Sequence, residues 1–179
     1  MDEKTSTVVL GLVFLILLTL SYVENVFFFN SVGGIFHNYL LGVGILFIHN
    51  VLVVSLILLG MTFYVNLVFL GFFKQEKYAH VVIDHSKIFA FVFTIMIFFL
   101  SVLRGSSLLG GVSIEALPLI LLVSAPIGIV EGYGIYLTIE KTLSRTMSTR
   151  ALAYVYCIFL VAAVMEVGFI NILVKATTN

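Results

Sequence analysis

From Val51 to Phe73 the chain runs on without one charged side chain. A helix of that length rises far enough to cross the ~30 Å of hydrocarbon in a bilayer. Comparable apolar runs recur along the chain, and they constrain the fold more than any motif does. Composition closes off the alternative. Of 179 residues, 61% are hydrophobic and only 10% charged, with a mean hydropathy of +1.22. A soluble domain carries about 25% charged residues, and a water-soluble fold with so few could not cover its surface. The expected fold is therefore all-α, a polytopic membrane helical bundle. It forms a single membrane domain over 1–179 with no sizeable soluble part.

About five transmembrane helices account for the apolar runs, at about 7–29, 49–73, 88–103, 112–139 and 151–174. The start, MDEKTST, lacks the basic opening of a cleaved signal, so the first span is expected to be retained. After it comes SVGGIFHNYLLGVGILFI, Ser31 to Ile48, which is apolar but short and opens on Gly33-Gly34. A short interfacial or re-entrant helix is expected there, over about 33–48, in place of a sixth span.

Lys and Arg decide between these topologies. Five spans put Lys4, Lys74, Lys77, Lys87, Lys141, Arg145 and Arg150 on one side, and only Arg104 and Lys175 on the other. That is seven against two, whereas a sixth span gives six against three. The positive-inside rule then sets a multi-pass cell-membrane protein with a cytoplasmic N-terminus and an outside C-terminus. Tyr22, Tyr39, Tyr78, Tyr136 and Tyr154 fall near span ends, where an aromatic belt belongs.

Polar groups at membrane depth are rare and usually face the bundle interior. The candidates for an intramembrane polar core are Glu131, Asn66, Asn50, Glu166 and Glu24, with Asn25, Asn171 and His49 beside them. Counting helical rise from the span ends puts Glu131 and Asn66 in an inner layer, roughly 12 and 10 Å deep. Glu24, Glu166, Asn25 and His49-Asn50 form an outer layer. Glu131 flanks a stripe of small residues, Ser124, Gly128 and Gly132, repeating every four positions, the spacing that lets another helix pack closely. Pro126 frees a carbonyl one turn back, near Leu122. Ser124, Pro126, Gly128 and Gly132 are thus candidate helix-packing residues.

Several function classes are excluded or left without support. Nine basic and nine acidic residues cancel, and no basic patch marks a nucleic-acid partner. The chain has no HExxH, GxSxG, GxxxxGK[ST] or CxxC pattern. No nucleophile sits beside an evident base, so no enzyme activity and no cofactor are expected. His80 and His85 are five apart and do not share a helix face, so with Asp84 they read as a solvated linker and not as a metal site. The lone Cys157 lies in an apolar run and reads as filler.

The segment Pro126-Ile127-Gly128-Ile129-Val130-Glu131 resembles the Pro-His-Gly-Ile-x-Glu signature of the stage II sporulation protein M family. His49-Asn50, Gly60, Asn66 and Gly71 resemble that family's Asn-Asn opening, mid-span Gly and later Asn-Gly. The likeness covers roughly Ile35 to Glu140, with Ile127, Leu67 and His49 replacing the signature His, Gly and first Asn. The resemblance implies an integral membrane scaffold or complex subunit that acts through partner helices, as part of a larger complex or as a homo-oligomer. The residues also allow a small transporter or channel component that carries protons, cations or a small solute past its Glu and Asn side chains.

Overall fold

The computed structural model describes residues 3–35, 38–71, 80–108 and 117–178; for helical residues 3, 4, 6, 21, 24–35, 100–108, 117–124, 170 and 172–178 it describes the backbone alone. Every regular element among them is helical. The order is α1 (Glu3–Ile35), α2 (Tyr39–Phe69), α3 (Val81–Asp84), α4 (Ser86–Leu108), α5 (Leu117–Leu143) and α6 (Thr149–Thr178). Two stretches, Tyr39–Phe69 and Thr149–Phe169, are long and apolar enough to cross a membrane, while Thr7–Leu20 and Ser86–Phe99 are shorter apolar helical segments. The expected span at about 112–139 begins in residues that lie outside the described ones.

The separate helix expected at about 33–48 is corrected. α1 continues to Ile35, and residues 39–48 are the first turns of α2. The break falls at Asn38, which is extended (φ −110°, ψ 106°) and whose side chain accepts the Leu41 N–H at 3.3 Å. That is an Asn N-cap satisfying one of a helix's orphan donors. Beyond it, neither proline nor charge interrupts the sequence as far as Phe69. These first turns are packed into the bundle, with Val43 and Leu46 buried against Ala163 and Val167 of α6.

Helix ends follow from local backbone chemistry. α2 closes with Gly71 in the left-handed region (φ 71°), its N–H bonded to the Val68 carbonyl. α5 ends in a Schellman turn: Thr146 N–H reaches the Lys141 carbonyl and Arg145 N–H the Thr142 carbonyl. Arg145 takes the left-handed position there at φ 57°, where glycine is usual. Three residues on, Ser148 caps α6 by accepting the Ala151 N–H at 3.2 Å.

The helices pack with alternating direction. α2, α5 and α6 all touch one another and make the centre; α1 lies against α2, and α4 against α5. Tyr39 donates to the Val164 carbonyl at one end, and Ser55 meets the Tyr156 hydroxyl further along, so α2 and α6 are antiparallel. The α5–α6 hairpin is antiparallel by its short loop, which leaves α2 and α5 parallel. A buried cluster of Val54, Val65, Ala90, Ile135, Ile139, Leu143, Val155 and Phe159 fills the centre.

Candidate functional site

Each of the three central helices brings one polar side chain to the same region. Asn50 of α2, only 8% exposed, donates from Nδ2 to Oε1 of Glu131 on α5 at 3.3 Å. Glu166 of α6 lies within coulombic range of Glu131. Both carboxylates are half-buried. Asn50 has two amide donors and two acceptor sites, and a carboxylate accepts at several, so the bond ties α2 to α5 while leaving hydrogen-bonding capacity over. A second polar tie lies beside it, where the Ser55 and Tyr156 hydroxyls meet at 3.2 Å.

This arrangement corrects the two-layer reading. Glu131 meets Asn50 and is not level with Asn66, which stands near the far end of α2, roughly 24 Å along the helix from Asn50. The reason is the helix ends. α5 runs on to Leu143, past the expected 139, and α2 stops at Phe69, short of the expected 73. Those offsets push Glu131 deeper and Asn66 shallower, by roughly 6 Å each. Asn66 is half-buried, and its carbonyl accepts the Leu70 N–H at 2.9 Å. Glu24 lies on α1 and Ser124 on α5, but their side chains lie outside the described residues.

Around the small-residue stripe, Gly128 and Gly132 face α4. A Cβ on Gly128 would overlap the Phe98 ring, and one on Gly132 would touch Thr94 Cγ2 at 3.4 Å. Pro126 is exposed on the outside of α5. Gly134, which the four-residue stripe omits, seats α6: a Cβ there would lie 2.6 Å from Phe159 Cε2. Two residues apart means about 200° around a helix, so Gly132 and Gly134 serve opposite neighbours. That GxG spacing was the available signal. At the α1–α2 contact the seating is reciprocal, with Phe63 on Gly11 and Phe14 on Gly60.

Two apolar grooves lie on the flanks, and neither is lined by Asn50, Glu131 or Glu166. One, about 300 Å³, runs between α4 and α5 past Thr94 and Gly132; the other, about 460 Å³, lies among α1, α2, α3 and α4. Among the described residues no three His, Cys, Asp or Glu side chains stand together as metal ligands. Asn50 and Glu131 can cross-link α2 and α5, with Glu166 adding a second carboxylate within coulombic range; nothing in the set is an activated nucleophile. Compared with known proteins, the chain matches no family model, no curated protein and no solved structure.

Proposed function

We propose that the protein is a five-span integral membrane scaffold or complex subunit, with its N-terminus cytoplasmic and its C-terminus outside. It acts through partner helices and without a catalytic step, in the manner that its resemblance to the stage II sporulation protein M family suggests. One observation carries this reading: the Asn50–Glu131 bond spans α2 and α5 inside the central trio. In lipid, helices gain little from hydrophobic association, and interhelical polar bonds and close packing take over. Asn50 and Glu131 are spent inward on the bundle, which leaves the exposed apolar faces of α1 and α4 to lipid and to partner helices. α1, α2, α4, α5 and α6 are the five spans of this reading. The basic residues Lys141, Arg145 and Arg150 cluster at the α5–α6 turn, the side that the positive-inside rule makes cytoplasmic.

Affinity isolation from native membranes in mild detergent, with mass spectrometry and a particle mass, tests the proposal. A defined partner in fixed ratio is the expected result. A lone chain or a lone homo-oligomer counts against a hetero-complex.

A second reading draws on the proximity of Glu131 and Glu166. Intramembrane carboxylates often mark proton or cation paths, and two within coulombic range of each other suit a path that passes one charge at a time. A pore from so few helices requires an oligomer. Steady flux of protons or sodium into liposomes, abolished by Glu131→Gln, is the result this reading requires. Normal folding of Glu131→Gln with loss only of a partner favours the scaffold.

A further inference from the structure

One face of α6 changes character along its length in the order that a phospholipid does. Arg150, Tyr154, Cys157, Val161 and Val164 follow one another by three or four residues, and all are exposed. Steps of that size keep to a single side of a helix. The other side, with Val155, Phe159 and Ala163 buried, packs into the centre. The exposed track thus runs from a cation, through an amphipathic ring, to apolar side chains. Arg150 to Val161 rises roughly 16 Å, which matches one leaflet's half of the ~30 Å hydrocarbon core.

Arg150 does not act alone. Lys141 and Arg145 stand with it at the α5–α6 turn, and among the described residues none of the three forms an ion pair. Set against Glu140, the acidic residue nearest in sequence, three cations leave the turn with a net charge of three minus one, +2. The Arg145 guanidinium is held 4.5 Å above the ring of Phe69, which is itself 52% exposed. A guanidinium stacked in this way keeps its N–H fork free for an oxyanion. Cations beside exposed rings, Arg145 at Phe69 and Arg150 one turn from Tyr154, fit a ligand that joins a phosphate to hydrocarbon. A soluble anion would make no use of the apolar track. α4 gives the contrast: Lys87 opens its exposed face, but exposed Asp84 stands three residues before it and offsets the charge.

We infer that the α5–α6 turn and the exposed face of α6 bind one anionic phospholipid, with its phosphate at Arg150 and an acyl chain along Tyr154, Cys157 and Val161. The added charge of Lys141 and Arg145 selects it over zwitterionic lipid. The inference rests on α6 being a membrane helix and is independent of the scaffold's partners.

The test uses the full chain in phosphatidylcholine nanodiscs, with a bimane fluorophore on Cys157, the chain's single cysteine. The quencher is phosphatidylglycerol with a nitroxide on its acyl chain, or phosphatidylcholine labelled in the same way. Half-quenching is expected at an at least 5-fold lower mole fraction for phosphatidylglycerol, since one cation at a membrane surface supplies about 5-fold. Added sodium chloride should shrink the preference by screening. Arg150→Gln should remove about 5-fold of it, and Gln at 141, 145 and 150 together should remove it all. Lys87→Gln should leave it unchanged. Bimane at Val92→Cys in a Cys157→Ser background, on the exposed face of α4, should show no preference. Equal quenching by both lipids at Cys157, or an undiminished preference in Arg150→Gln, overturns the inference. So does an equal preference at position 92, which would mean diffuse attraction with no site. Relief of quenching by inorganic phosphate, beyond that of sodium chloride at equal ionic strength, would mean a soluble-anion site and overturns it too. Bimane emission reports separately on the membrane reading. Water-like emission from Cys157 defeats that reading and the lipid site with it, whereas hydrocarbon-like emission without lipid preference defeats the lipid site alone.

Discussion

The central trio and the two flanking helices are held by different means. α2, α5 and α6 enclose fully buried side chains, Val54, Ile139, Leu143, Val155 and Val167 among them. They also exchange polar contacts across helices, Asn50 with Glu131 and Ser55 with Tyr156. α1 and α4 keep long exposed apolar faces, from Val8 to Val23 on one and from Ile88 to Phe99 on the other. Their recorded seats are aromatic rings on glycine: Phe63 on Gly11, Phe14 on Gly60 and Phe98 on Gly128. The centre combines close packing with directional bonds between helices, and the flanks add rings seated on glycine. Directional bonds fix register, because a helix that slides one turn loses its partner. A ring on a glycine fixes distance and leaves the outer face free.

The largest effect should come from filling a central seat. Gly134→Leu forces the Phe159 ring, itself buried, out of its place; overpacking of this kind costs about 1–3 kcal/mol. Thermal unfolding in mild detergent measures it. Gly11→Leu, whose Cβ would lie 3.0 Å from the ring edge of Phe63 on a flank, should lose less, since that ring can turn toward lipid. Gly44→Leu meets nothing within 4 Å and should stay within about 0.5 kcal/mol of the parent. A flank substitution as damaging as Gly134→Leu would erase the distinction between centre and flank.

Next comes the polar tie. Asn50→Ala leaves Glu131 without its donor and should cost about 1–2 kcal/mol. Asn66→Ala, near the end of α2, should cost less than about 0.5 kcal/mol. Glu131→Gln keeps shape and hydrogen-bonding capacity and should have a small effect by itself. In a double-mutant cycle with Asn50→Ala the two should show coupling. Additive effects at 50 and 131 would mean that the bond contributes nothing to register.

How much of this was legible follows from the same residues. The all-α class was readable because apolar runs such as 51–73 are too long for anything but helices of that kind. The start of α2 was misplaced, although Asn38 is a capping residue; the shortness of the apolar run and its opening Gly33-Gly34 made Ser31 to Ile48 look like a separate piece, and the burial of Val43 and Leu46 against α6 shows otherwise. Glu131 was legible as an inward-facing carboxylate, but its partner was not. Depth counted from helix ends multiplies each misjudged residue by 1.5 Å, and opposite errors at 139 and 73 brought Asn66 level with it in place of Asn50. The side-chain hydroxyl of Thr94 on α4, buried and without a hydrogen-bond partner, carried no signal in one dimension, because an unmade hydrogen bond exists only in the packed structure.

The smallest expected effect lies where the centre meets its own loop. Arg145 holds a left-handed backbone, and its guanidinium sits 4.5 Å above the Phe69 ring at the end of α2. The strain of a non-glycine residue there is about 1 kcal/mol, and a cation–π contact at an exposed site returns about 0.5–1 kcal/mol. The two nearly cancel, so Arg145→Gly should change stability by less than about 0.5 kcal/mol. Phe69→Leu removes only the favourable part and should cost about 0.5–1 kcal/mol in the parent. In an Arg145→Gly background it should cost almost nothing, and thermal unfolding of the four proteins reads out the difference. Equal cost of Phe69→Leu in both backgrounds would mean that the ring matters for packing alone, and that the α5–α6 turn is fixed to α2 by shape.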